Sequence, residues 1–305
     1  MKIKLFTVLI ICFAFLNTYA GGFSDLGNSA RVSSMGGASL TLTDAPYLIF
    51  YNPANLYKLN KPVISTTYSN LYPNVEGDNL NFISLSGIVP LDFIGVLGLG
   101  GNFLNTDLWK EYTLAGAYSR ELIENLSVGG TFKVIGWSAA AAPGESALSY
   151  TGFAVDAGVY YALKNLLPSN SINFGLSVQN INQPSIASSG SDGKLPMRVG
   201  LGVGIESSKF NYLIALDVIK ESDIIFIKGG AEFLGIRDQI LGYETQFLLR
   251  MGYNNILQSD FAREGGINGG FGLVVDKVKI DYGYIFPLVI SNTGGINRIS
   301  LTYNF

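Results

Sequence analysis

The side chains able to do chemistry in this chain of 305 residues are carboxylates, lysines, arginines and hydroxyls, because it holds no histidine and a single cysteine, Cys12. Without an imidazole there is no general base of the usual kind for a serine, and the commonest transition-metal ligand is missing. Cys12 sits in an apolar leader, so the exported chain has no thiolate for a zinc site either. No catalytic residue and no metal ligand is expected, and the residue types argue against an enzyme. The charges recur instead at alternate positions of apolar runs. Lys133, Arg198, Lys228, Arg250, Lys279 and Arg298 are set against Asp156, Asp217, Glu232 and Asp281. A selective ion pore would present rings of one sign, so a mixed set is expected to pair inside a filled lumen.

Strands must position these charges, because the alternation has a period of two. In the final run, Ile299, Leu301, Tyr303 and Phe305 share one face while Arg298, Ser300, Thr302 and Asn304 share the other. Ile172, Phe174, Leu176 and Val178 likewise oppose Asn173, Gly175, Ser177 and Gln179, and Val199, Leu201, Val203 and Ile205 oppose Arg198, Gly200, Gly202 and Gly204. Apolar out and polar in is the pattern of a transmembrane β-barrel. Fourteen such segments can be drawn between Pro62 and Phe305, among them Tyr112–Ser119, Tyr150–Tyr161 and Ile224–Phe233. An even number leaves both ends of the barrel on one side, and the last strand is expected to pair with the first. A soluble β-sandwich would also alternate, but its Greek-key links are of mixed length, whereas long and short connections take turns here.

Composition agrees with a barrel. Thirty-seven glycines, 12% aromatics and only 14% charged residues are unusual for a soluble enzyme, and the net charge of −3 offers no basic patch for nucleic acid. Lys2 and Lys4, an apolar run from Leu5 to Leu16 and the small residues around Ala20 form a signal peptide over residues 1–20. The run is too short to span a bilayer as a helix. Residues 21–60 do not alternate. Their irregular backbone would be unsatisfied in lipid but could bond to a lumen wall. Residues 61–305 make the barrel. In its third strand Gly95, Gly98, Gly100 and Gly101 crowd together, which marks a bulge, a kink or a close approach.

Arg31, the run Met35-Gly36-Gly37-Ala38 and the run Tyr51-Asn52-Pro53-Ala54-Asn55-Leu56 resemble the amino-terminal hatch of the FadL-like outer-membrane proteins, and especially of the PorV/PorQ branch. The resemblance continues in Val178-Gln179-Asn180-Ile181, Leu195-Pro196, Leu216-Asp217-Val218, Asp281-Tyr282 and Arg298-Ile299-Ser300-Leu301, and so spans the chain after its leader. Asn55 departs from the glycine usual there. Asparagine tolerates a left-handed backbone, so the turn is expected to survive.

The resemblance implies an all-β, 14-stranded antiparallel transmembrane β-barrel with an N-terminal hatch or plug, in the outer membrane of a diderm bacterium. The PorV/PorQ branch implies a non-enzymatic component of type IX protein secretion that binds exported cargo at the cell surface, and the short chain and glycine-lined lumen favour that reading. The wider superfamily implies instead the transport of long-chain fatty acids or other hydrophobic small molecules, for which a kink at Gly98, Gly100 and Gly101 would open a lateral exit. Expected partners are outer-membrane lipid, the barrel-assembly machinery through the C-terminal strand, and either secreted cargo or a hydrophobic small molecule. No cofactor is implied. The longest loop, Ile181 to Pro196, is the expected cargo contact.

Overall fold

Alternating side chains oblige each strand to separate two environments, and fourteen strands do so around one closed sheet. The computed structural model describes residues 23, 26–75, 80–141, 146–167, 169–187, 193–240, 242–256 and 265–305. The expected signal peptide and the tip of the Ile181–Pro196 loop, residues 188–192, lie outside them. The first seven strands are β1 Val63–Leu71, β2 Leu80–Leu91, β3 Gly95–Asn105, β4 Trp109–Ile123, β5 Leu126–Ala139, β6 Leu148–Leu167 and β7 Asn170–Gln179. The rest are β8 Arg198–Ser207, β9 Tyr212–Glu221, β10 Ile224–Ile240, β11 Tyr243–Ile256, β12 Gly266–Val275, β13 Val278–Pro287 and β14 Ile296–Asn304. Each is antiparallel to its neighbours.

Strand β14 closes on β1 in unbroken register from Val63↔Asn304 to Leu71↔Ile296. Inside this seam the Ser65 and Thr302 hydroxyls lie 2.9 Å apart and those of Thr67 and Ser300 2.8 Å apart, while Ile64, Tyr68, Ile299 and Leu301 are exposed outside. The Phe305 amide donates to the Pro62 carbonyl at 3.1 Å, and the Phe305 ring meets Tyr303 edge-on at 4.9 Å. Deleting Tyr303 to Phe305 removes that end of the seam. The truncated protein is expected to lose heat-modifiable migration on gels; a truncation that still runs as a folded barrel would show that this end does not hold the closure.

Several strands outrun the alternation, β10 and β6 by the most at one end. Strand β10 was expected to stop at Phe233, where its pairing with β9 does end at Tyr212, but its pairing with β11 continues through a bulge between Leu234 and Ile236 to Ile240↔Tyr243. Both faces of this extension are exposed, so Arg237, Asp238 and Gln239 carry no two-sided pattern. Strand β6 similarly runs to Leu167.

The apolar core lies inside the sheet and is supplied mainly by the amino-terminal segment. Helix α1, Ala30–Ser34, begins at Ser29, whose side chain accepts the Arg31 amide at 3.1 Å. Two 3-10 helices follow, Pro46–Phe50 and Pro53–Lys58, each opened by a proline that gives up an amide with no partner to lose. Val32, Met35, Leu42, Leu48, Ile49 and Leu56 are fully buried there. Asn52 is extended, as its following proline requires. Asn55 is not left-handed. It lies within the second 3-10 helix and acts through its side chain, which donates to the Leu40 and Leu42 carbonyls at 3.0 and 2.6 Å.

Candidate functional site

The polar lumen wall and the amino-terminal segment meet along an ion network. Arg31 points from α1 at β10, where its Nε and Nη2 donate to both oxygens of Glu232 at 2.8 and 2.7 Å. Glu232 also pairs with Arg250 at 2.5 Å, and Arg250 with Asp281 at 2.8 Å. Arg31 further pairs with Asp44, which lies 3.9 Å from Lys279. Partial burial pushes the Asp44 carboxyl up, but the charges of Arg31 and then Lys279 outweigh it and hold it below its ordinary value of 3.8. The network thus joins two groups of the amino-terminal segment to four of the ten inward charges expected from the sequence.

The other six are also inside. Lys133 meets Asp156 and the Asn180 side chain, both at 2.8 Å. Arg198 pairs with Glu221 at 2.9 Å. Asp217 accepts the amides of Ser39 and Leu40 at 2.6 and 3.0 Å, Lys228 lies buried beside Gly37, and Arg298 donates to the Leu26 carbonyl. Asp44 and Glu221 had no place in the sequence reading: Asp44 stands in a stretch without alternation, and Glu221 at the last residue of its strand.

The hatch-like residues act largely through backbone. The Asn52 side chain donates to the Leu40 and Val159 carbonyls at 3.0 and 3.1 Å and accepts the Ala54 amide at 3.2 Å. The Ala54 carbonyl accepts hydroxyls from Ser119 and Ser127, and Pro53 rests on Gly129. Met35 and Gly36 lie on Gly230 and Gly252, which face one another across β10 and β11; a Cβ on Gly230 would sit 2.5 Å from Met35 Cα. Gly36 and Gly37 have φ of +68° and +82°, the left-handed turn that lets this run press against the wall, and Ala38 is fully buried behind it.

Gly98, Gly100 and Gly101 do not kink β3. Its pairing is unbroken with β2 from Leu91↔Gly95 to Asn81↔Asn105, and with β4 from Val96↔Ser119 to Asn105↔Lys110. The missing side chains make room for neighbours instead. The Phe50 ring lies on Gly100, Leu56 and Ile49 cover Gly98, and Phe103 and Leu114 cover Gly101 from outside. An apolar hollow of about 540 Å³ on the outer face, lined by Ile64, Leu85, Leu99 and Leu301, is separated from the core by intact backbone.

At the end opposite Phe305, the loop from Ile181 folds down on the mouth. Ile186 and Leu195 are buried against Ile135 and Ala154, and the Trp137 indole donates to the Ile186 carbonyl at 2.7 Å. Trp137 stacks on Trp109 with ring centroids 4.6 Å apart. Expected as an exposed contact, this loop is anchored at its base as part of the mouth.

The whole arrangement has counterparts among solved structures. The Ralstonia pickettii toluene transporter TbuX is similar with a TM-score of 0.65 and 11% identity, over 93% of this chain and 100% of that one. The CymD monoaromatic hydrocarbon channel gives 0.62 and 14% over 93% and 99%, and a Pseudomonas aeruginosa FadL homologue 0.62 and 11% over 91% and 98%. No family model and no curated protein matches the sequence. The likeness shows the fold alone, a closed barrel shared end to end with these structures.

Proposed function

We propose that this chain is an outer-membrane transporter of small hydrophobic compounds. Residues 1–20 are its signal peptide, residues 21–60 its hatch, and residues 61–305 a barrel in contact with outer-membrane lipid, inserted by the barrel-assembly machinery through β14. The observation that carries the reading is the end-to-end likeness of this closed barrel to a toluene transporter and a monoaromatic hydrocarbon channel. The conformation described is closed, because the amino-terminal segment fills the lumen.

The filled lumen and unbroken β3 favour a second reading, the PorV/PorQ one, in which the barrel only presents its loops to exported cargo. A deletion strain separates the two. Loss of saturable toluene uptake, restored by the intact gene, is the expected result. Normal uptake together with missing surface proteins would replace transport by secretion.

A further inference from the structure

Between β2, β3, β4 and the start of the amino-terminal segment lies a cavity of about 50 Å³, just inside the mouth. Its apolar wall comes from Phe23, Leu26 and Phe82. The carbonyl oxygens of the Asn28 and Asn102 side chains are buried and, among the described residues, have no hydrogen-bond partner. A charged side chain of the lining, Glu111, accepts the Phe23 amide at 3.1 Å and the Trp109 indole N–H at 2.7 Å. A carboxylate has room for further donors. Three acceptors therefore border one small space, two of them buried amide oxygens with no hydrogen-bond partner among the described residues, and a buried acceptor left unpaired is costly. The space exceeds the minimum for a water molecule, and Phe23 and Phe82 line it.

An occupant must donate hydrogen bonds, offset the Glu111 charge and tolerate aromatic neighbours. We propose that this cavity binds the ammonium head of a small organic amine, whose apolar body lies along the mouth. An ammonium supplies three donors and no acceptor, and it is attracted to aromatic faces. This extends the transport reading by naming a substrate class, amphipathic amines, and places the discriminating group on β4 at Glu111.

Binding is measured on the intact barrel in nonionic detergent, apart from uptake. The only two tryptophans are Trp109, bonded to Glu111, and Trp137, stacked upon it, so their fluorescence reports on the site. Benzylammonium is expected to give a saturable change at about tenfold lower concentration than benzyl alcohol, its neutral counterpart. Glu111→Gln should erase that preference while leaving the response to benzyl alcohol within about twofold. Equal binding of the two probes to the unaltered protein overturns the proposal, including the case in which a turned amide or a water molecule already satisfies Glu111; so does a preference that survives Glu111→Gln. Should Glu111→Gln fail to fold, the comparison of probes on the unaltered protein still decides. Amine binding without any uptake defect in the deletion strain would leave this site standing and remove the transporter reading.

Discussion

Replacing Arg31 with methionine is expected to unseat the amino-terminal segment while the sheet stays closed. The substitution removes both hydrogen bonds to Glu232 and the pairing with Asp44, leaving Asp44 with Lys279 at 3.9 Å. Breaking a buried pair from one side costs about 3–5 kcal/mol, and because Arg250 still serves Glu232 the lower figure applies. A loss of about 3 kcal/mol shifts the seating equilibrium more than about a hundredfold. A cysteine at Ala38, fully buried when the segment is seated, should become reactive to bulky thiol reagents in the Arg31→Met background and stay protected otherwise. Continued protection there would assign the seating to other contacts. Acid gives the same test without mutation. A carboxyl held below its ordinary value contributes stability above that value and loses it as pH falls through the lowered one. Protection at Ala38→Cys should therefore persist down to about pH 4, the ordinary range of a free aspartate, and weaken only below it.

Gly252→Val should abolish assembly. A Cβ at this position would overlap the Gly36 amide nitrogen and the Met35 carbonyl carbon. Both are backbone atoms, so no rotamer change relieves the clash. Valine is otherwise well suited to a strand, which isolates the lost space as the cause. Gly116→Ala is the control, since its Cβ would meet only a Leu99 methyl at 3.8 Å. We expect heat-modifiable protein to vanish for the first variant and to remain at normal levels for the second; assembly of Gly252→Val would mean that the segment can dock elsewhere in the lumen.

Why the strands could be read and the site only in part follows from where each piece of information resides. Alternation is local, so the two faces of β7, β8 and β14 were legible, and parity alone turned Glu232, Arg250 and Asp281 inward. Who pairs with whom depends on register around a closed sheet and on a segment 201 positions away, as for Arg31 and Glu232. No periodicity encodes that. Glu111 was missed because β4 was started at Tyr112, although it runs from Trp109. Its indole partner two residues earlier was the available signal. The glycines of β3 signalled a bulge, a kink or a close approach, and the close approach is what they serve; Phe50, Ile49 and Leu56, which occupy their space, come from a stretch with no regular pattern and could not be named.

The ion network has one more property, which concerns what can move the segment. Its half on the amino-terminal segment, Arg31 and Asp44, sums to zero charge, and so does the half on the wall, Glu232, Arg250, Asp281 and Lys279. A potential across a membrane acts at about 2.3 kcal/mol per unit charge per 100 mV, and on this pair moving together it has no net charge to act upon. Withdrawal of Arg31 with Asp44 is therefore insensitive to voltage to first order and strands no excess charge in the wall. In the transport reading proposed above, binding energy delivered at the mouth or at the opposite end is the force left to displace the segment at neutral pH.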